Sequence, residues 1–242
     1  MPQTVSARLV NQLLEALPQR DRRRLHPHLE PVALTLGQPL FEAGSEQHYL
    51  YFPTSGIISL LNVMHSGASG EIAIIGNEGV VGIALFMGGE TSPSRAVVQT
   101  GASAYRLSAS QLRTEFKRGG ELQRLLLRFT QALIAQMSQT AVCNRHHSIQ
   151  EQLSRWLLMS LDRLPSNEVL MTQELIANML GVRREGVTEA AQALQNEHLI
   201  TYVRGRIEVL DRPGLEKRVC ECYRVVRNEY DRLLVPAPQR PI

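Results

Sequence analysis

The sequence contains no run of the roughly 18 apolar residues that a membrane-spanning helix needs, and its N-terminus has no apolar signal-peptide core. A cytoplasmic protein without membrane contact is the expectation. Cysteine is scarce. Cys143, Cys220 and Cys222 are an odd number without framework spacing, which excludes a disulfide scaffold and predicts reduced thiols. Aromatic residues make up only 5% of the chain, and there are neither internal repeats nor low-complexity tracts.

What is present is ordinary globular composition: 242 residues, 43% hydrophobic and 20% charged. That length suits one large domain or two small ones. The formal net charge is +3, a mild basic balance that permits a nucleic-acid partner without requiring one.

Residues 1 to 28 read as helical, with Leu9, Leu13, Leu14 and Leu17 at helical spacing and Pro18 stopping or kinking the pattern. From Leu29 to Leu107 short apolar runs alternate with turns: VALTLG, PLFEAGS, YLYFPTSG, IISLLNVMHSG, EIAIIGNEG, VVGIALFMGG, RAVVQTG and SAYRLS. Evenly spaced short runs with glycine turns predict an all-β sandwich or barrel. A long helical pattern follows, divided by Gly119-Gly120. Its second part, ELQRLLLRFTQALIAQMSQTAVCNR, carries Leu122, Leu125, Leu126, Phe129, Leu133 and Met137 on one broad face. Such a stripe must be buried: the candidates are the β domain on one side and a second copy of the helix on the other, and the alternative is packing on its own domain alone. Ser148 and Glu151 have capping-box spacing at the start of a further helix, so the hinge is placed at Asn144 to His147.

The segment TQELIANMLGVRREGVTEA is the most informative. Thr172 suits an N-cap; Leu175, Ile176, Met179 and Leu180 form the buried face of a short helix, and Gly181 ends it. A second helix runs from Arg183 to Glu197, with Val187, Ala190, Ala191 and Leu194 inward. Two helices around a short glycine turn form the helix-turn-helix pattern, whose second helix enters the DNA major groove. Arg183, Arg184, Glu185, Thr188 and Glu189 then face outward as a reading surface. Arginine donors match guanine, and glutamate accepts from cytosine. Thr172 and Gln173 are placed to meet phosphates at a helix N-terminus. Downstream, ITYV and RIEVL are two strands joined by Arg204-Gly205, a wing that puts Arg204 and Arg206 over the phosphate backbone. From Glu151 to Ile242 the charges nearly cancel, so this local arginine cluster must carry the electrostatic affinity.

The stretches MTQELIANMLGVRREGVTEAAQALQNEHLI and LTLGQPLFEAGSEQHYLYFPTSG make the chain, from about Leu13 to Leu210, resemble the Crp/Fnr superfamily of bacterial transcription regulators. The resemblance implies an α+β fold: a jelly-roll-like sensor β-roll, a long dimerisation helix and a C-terminal winged helix-turn-helix. Mapped onto this chain, the sensor with its N-terminal helix spans 1–117, the dimerisation helix 118–145 and the DNA-binding domain with its C-terminal helix 146–242. Leu122, Leu126, Phe129, Leu133 and Met137 become the dimer interface, and Arg184 and Glu185 the base readers. Glu189 stands where many members have another arginine.

Cyclic-AMP-binding members hold the nucleotide with a Gly-Glu-Leu segment and, about ten residues later, Arg-Ser-Ala. Here Gly82 is followed by Ile83 and Ala84 in place of the carboxylate, and Ser94-Arg95-Ala96 has the right types in a shifted order. Gly82, Ile83, Ala84, Ser94 and Arg95 remain the effector-site candidates, with cyclic AMP not expected to gate the protein. Iron–sulfur members need four cysteines, mostly near the N-terminus, and none precedes Cys143. Haem-sensing members use an axial His or Cys in the β-roll region, for which His48 and His65 are the candidates here, although a lone histidine on a strand is usually structural or exposed. No cofactor is assigned, and the identity of a small-molecule effector stays open.

The hinge sequence Cys143-Asn-Arg-His146-His147 invites a metal reading, but one helix cannot aim all three side chains at one ion without a fourth ligand from elsewhere. Packing or hydrogen bonding is the expected role. Cys220 and Cys222, two apart on the C-terminal helix, face different ways and suit neither a disulfide nor a tight site, so no metal site is expected. That helix, with Leu215, Val219, Cys222, Tyr223 and Val226 as its apolar face, packs on the DNA-binding domain or meets the partner subunit.

The function that follows is a homodimeric, sequence-specific regulator on palindromic double-stranded DNA. A constitutive, ligand-free regulator is the alternative. RNA polymerase is a further partner if the protein activates transcription, and no residue pattern marks a surface for it. A cupin-like metal enzyme would need close histidines plus a carboxylate, and with only His48 and His65 in the β region the chain is not expected to be an enzyme.

Overall fold

Short antiparallel strands build the N-terminal half in two sheets. The computed structural model describes residues 10–234; Leu9, read above as helical, lies outside the described residues. Helices α1 (Gln12–Ala16) and α2 (Gln19–Leu25) come first, with Pro18 as the N-cap of the second. The strands are β1 (Glu30–Leu34), β2 (Pro39–Phe41), β3 (Tyr49–Pro53), β4 (Ile58–Val63), β5 (Ser69–Ile75), β6 (Arg95–Val98) and β7 (Ala102–Ser108). They pair in the orders β1-β7-β3 and β2-β6-β4-β5. Alternation buries Leu50 and Phe52 of β3, and Leu107 of β7 is buried opposite Leu50; Ala102 and Ala104 of β7 are also buried, out of phase with Leu107. Each large side chain so buried contributes about 1.5–3 kcal/mol.

The run VVGIALFMGG departs from the strand expected of it. Val81 makes a single bridge to Tyr51, and the chain then turns into helix α3 (Ala84–Met87). Ala-Leu-Phe-Met lacks the period-two alternation of a strand. Gly82, at φ +113°, makes the break in a backbone region that L side chains rarely adopt. A Cβ there would also press on the Tyr49 carbonyl at 2.9 Å.

Helix α4 (Ala109–Lys117) ends at the Gly119-Gly120 pair, and α5 (Glu121–His146) runs to the hinge. Helix α6 (Ile149–Leu161) begins with the expected capping box: the Ser148 amide donates to Glu151 Oε2 at 2.8 Å, and the Glu151 amide donates to Ser148 Oγ at 3.3 Å. After it come β8 (Glu168–Leu170), α7 (Gln173–Leu180), α8 (Arg184–Asn196), β9 (Ile200–Val203) and β10 (Arg206–Val209). The strands form the sheet β8-β10-β9 beside the two helices. The chain closes with α9 (Arg212–Arg218) and α10 (Cys222–Leu234).

Two expectations about packing are corrected. Leu122, Leu126, Phe129 and Leu133 are already buried within the single chain, and Met137 is half-buried. The chain itself covers that face: the Phe129 ring lies over Gly79 and edge-on to Tyr230 of α10 at 6.4 Å, and Gln136 donates to the Ile74 carbonyl at 3.1 Å. The large apolar residues that α5 leaves to solvent are Leu127, Ile134 and Val142, at 50%, 52% and 50% exposure. The C-terminal segment is two helices rather than one: α9 packs against α6, and α10 lies along α5. A single core therefore runs through both halves of the chain.

Candidate nucleic-acid interface and sensor pocket

The turn between α7 and α8 follows from its residues. Gly181 adopts the left-handed conformation (φ +67°, ψ +33°), and its amide and that of Val182 both bond the Ala177 carbonyl. Val187, Ala190, Ala191 and Leu194 of α8 are buried, as are Ile176, Ala177 and Leu180 of α7. Leu175, expected on the inner face, is 46% exposed. Thr172 caps α7 by accepting from the Leu175 amide at 3.3 Å.

Arg183 is the N-cap of α8 and stands just before the helix; Arg184, Glu185, Thr188 and Glu189 are exposed on its outer side. The Thr188 hydroxyl donates to Gln173 Oε1 at 2.8 Å, tying the starts of the two helices together. Arg204 and Gly205 join β9 to β10 with φ of +50° and +79°, the two positive values of a type I′ hairpin turn. Thr172, Gln173, Glu174, Arg184, Tyr202 and Arg204 border one open groove between the two helix starts and the wing. Arg183, Arg184 and Arg204 make no ion pair among the described residues, whereas Arg206 reaches Glu168 at 3.3 Å. Two unpaired guanidinium groups, Arg184 and Arg204, border this concave surface, and Arg183 precedes Arg184 in the chain; they present donors to an anionic, grooved ligand.

Tyr202 is a member of the groove that the sequence pattern does not mark. Its hydroxyl donates to the Met171 carbonyl at 2.7 Å, and burial pushes its pKa up to about 12, which keeps it a donor. Only its place beside Arg184 in the groove identifies it, and that placement is tertiary.

In the β-roll, Gly82, Ile83, Ala84 and Ser94 line a cavity of about 280 Å³, together with Leu133 and Met137 of α5. Its lining includes no charged side chain. Arg95 is not part of it: the guanidinium turns to Glu42 at 3.2 Å. Ser94 is occupied as a donor to Asn62 Oδ1 at 2.7 Å. Gln47 Oε1 is a buried acceptor on the cavity without a partner. His48 and His65 do not border the cavity.

The cysteines depart most from expectation. The helix expected to carry Cys220 and Cys222 is broken at Val219 to Glu221, so the two thiols sit at the elbow between α9 and α10. There they meet Cys143 and His147.

Residues 31–118 match the family described as the cyclic nucleotide-binding domain, and residues 151–218 match the Crp-like helix-turn-helix domain. No curated protein matches the sequence. Among solved structures the chain is similar to FixK2 from Bradyrhizobium japonicum (TM-score 0.69, 16% identity, 79% of this chain and 98% of that one). It is also similar to a CRP-family transcriptional regulator from Thermus thermophilus (TM-score 0.64, 20% identity, 77% and 95%). A third likeness is to the c-di-GMP responsive global regulator CLP from Xanthomonas campestris (TM-score 0.61, 16% identity, 78% and 97%). At such identities the solved structures speak for the fold. The two domain matches, in this order on either side of α5, place the chain in the Crp/Fnr family of transcription regulators.

Proposed function

We propose that the protein is a homodimer that reads a palindromic DNA site, with α8 of each subunit in successive major grooves. The observation that carries this is the groove where Thr172, Gln173, Arg184 and Arg204 converge, with Arg183 beside it. In this reading Arg184 and Glu185 contact base edges, with Thr188 and Glu189 further along the helix. Thr172, Gln173 and Arg204 hold phosphates; Arg206 does so only after leaving Glu168. The division into sensor (1–117), dimerisation helix (118–145) and DNA-binding domain (146–242) belongs to the same reading. The partner contact is assigned to Leu127, Ile134 and Val142, because the face first expected to serve is covered by the chain itself.

Cyclic AMP does not gate the protein in this reading. A cyclic phosphate needs a cation, and the cavity lining has none. The space suits a small uncharged molecule with one donor for Gln47 Oε1. Leu133 and Met137 would carry its presence to α5. A ligand-free regulator remains the second reading, favoured by the engagement of Arg95 with Glu42.

The test is fluorescence anisotropy on a DNA sequence selected from a random pool. Tight, salt-sensitive binding to a two-half-site duplex, unchanged by cyclic AMP, is expected. Equal affinity for a single half-site, or binding that appears only with the nucleotide, would overturn the corresponding part.

A further inference from the structure

Cys143, His147, Cys220 and Cys222 each offer one ligand atom, and these atoms all lie within 4.8 Å of one another. The three cysteines are buried and His147 is nearly so, its side chain 16% exposed. Cys143 and His147 stand one turn apart at the end of α5, where the His147 amide bonds the Cys143 carbonyl at 3.0 Å. Cys220 and Cys222 come from the elbow between α9 and α10.

The spacing fits one small ion. Two thiolates bound tetrahedrally at roughly 2.3 Å lie about 3.8 Å apart, and a thiolate and an imidazole nitrogen about 3.6 Å apart. Here Cys143 Sγ and Cys220 Sγ are 3.6 Å apart, and Cys222 Sγ and His147 Nδ1 are 3.4 Å apart. So tight a set leaves no room for a multi-iron cluster. Three thiolates and one imidazole are a donor set for zinc, and four protein ligands leave no open position, as in structural sites.

The surroundings match a ligand set. Gln139 Nε2 donates to Cys222 Sγ at 3.0 Å. Glu221 Oε2 lies 3.4 Å from His147 Nε2, which turns the other ring nitrogen toward Cys222; a carboxylate behind a ligating histidine is the usual orienting partner. Zinc with three thiolates carries one net negative charge. Arg155, buried, donates to Thr140 Oγ1 at 3.1 Å, one turn before Cys143. Its Nε and Nη1 have no hydrogen-bond partner.

We propose that Cys143, His147, Cys220 and Cys222 bind one zinc ion, which fastens the hinge end of α5 to the elbow that follows the wing. The three thiols lose their protons to solvent on binding. The ion ties the end of the helix on the sensor side to the segment that closes the DNA-binding domain, so its occupancy holds the relative position of the two.

The full-length protein, purified under reducing conditions without chelator, tests it by elemental analysis. About one zinc per chain is expected, falling at least tenfold in Cys220→Ser and Cys222→Ser. Those variants could fail to fold, so cobalt exchange gives a second readout. The cobalt form should show intense tetrahedral d–d bands with sulfur charge transfer, and His147→Cys should keep the bands while raising the charge-transfer intensity. Chains without zinc whose three thiols all react with Ellman's reagent, or a Cys143–Cys220 disulfide in the reduced preparation, would overturn the proposal. So would octahedral cobalt.

Discussion

Trp156 of α6 donates a 3.1 Å hydrogen bond from its indole nitrogen to Glu71 of β5, so the helix that follows α5 is held by a buried carboxyl of the β-roll. The other carboxyl oxygen accepts from Ser59 at 2.5 Å. Burial outweighs these donors and pushes Glu71 up to about 7 from an ordinary 4.5.

This makes stability depend on pH through Glu71. A carboxyl with a raised folded-state pKa favours folding most below its unfolded value, and that contribution is lost as pH rises through the folded one. Unfolding should therefore become easier between about pH 4.5 and 7. Glu71→Gln should remove this component, its stability relative to wild type improving by about 3 kcal/mol from about pH 4.5 to about pH 8. Urea unfolding of both proteins across that range checks it, and parallel curves would count against the assignment.

A second joint is the pair Arg163–Glu78, at 2.8 Å with both side chains largely buried. Arg163 also donates to the Met159 carbonyl at 2.7 Å and faces the Tyr230 ring at 5.8 Å. Arg163→Met should cost about 3–5 kcal/mol, because Glu78 is left buried and unpaired. Adding Glu78→Met should recover part of that loss. A double-mutant cycle by denaturant unfolding measures the coupling, and strictly additive losses would deny it.

On DNA, Arg204→Ala should weaken binding to all sequences alike and lower the salt slope by about one. Arg184→Ala should cost about 1–3 kcal/mol and relax the preference at one base pair per half-site. Anisotropy titrations at several salt concentrations separate these two outcomes.

On α5, Leu127→Glu with Ile134→Glu should shift sedimentation from dimer to monomer while leaving the thermal midpoint of the monomer nearly unchanged. Phe129→Ala should instead destabilise the chain by about 3–5 kcal/mol, since its ring fills the space over Gly79 against Tyr230. A dimer that survives the glutamates would move the interface elsewhere.

Much was legible from local pattern. Gly181 between Leu180 and Val182, the apolar spacing of Val187, Ala190, Ala191 and Leu194, and the Arg204-Gly205 hairpin each act within a few residues, so their chemistry is written where it works. The glycine-punctuated strands are of the same kind. VVGIALFMGG misled because an apolar run without alternation does not tell strand from helix.

What the sequence determined by itself was the helix-turn-helix with its wing and the outward face of α8, because capping, turn geometry and periodicity are short-range. Which side of α5 stays exposed was decided only when α10 and the β-roll covered the rest of it. The meeting of Cys143 with Cys220, 77 positions apart, depended on the same fold-back, made at an elbow that no glycine or proline announces. Periodicity marks an apolar or reactive face, and only packing between distant segments settles what that face meets.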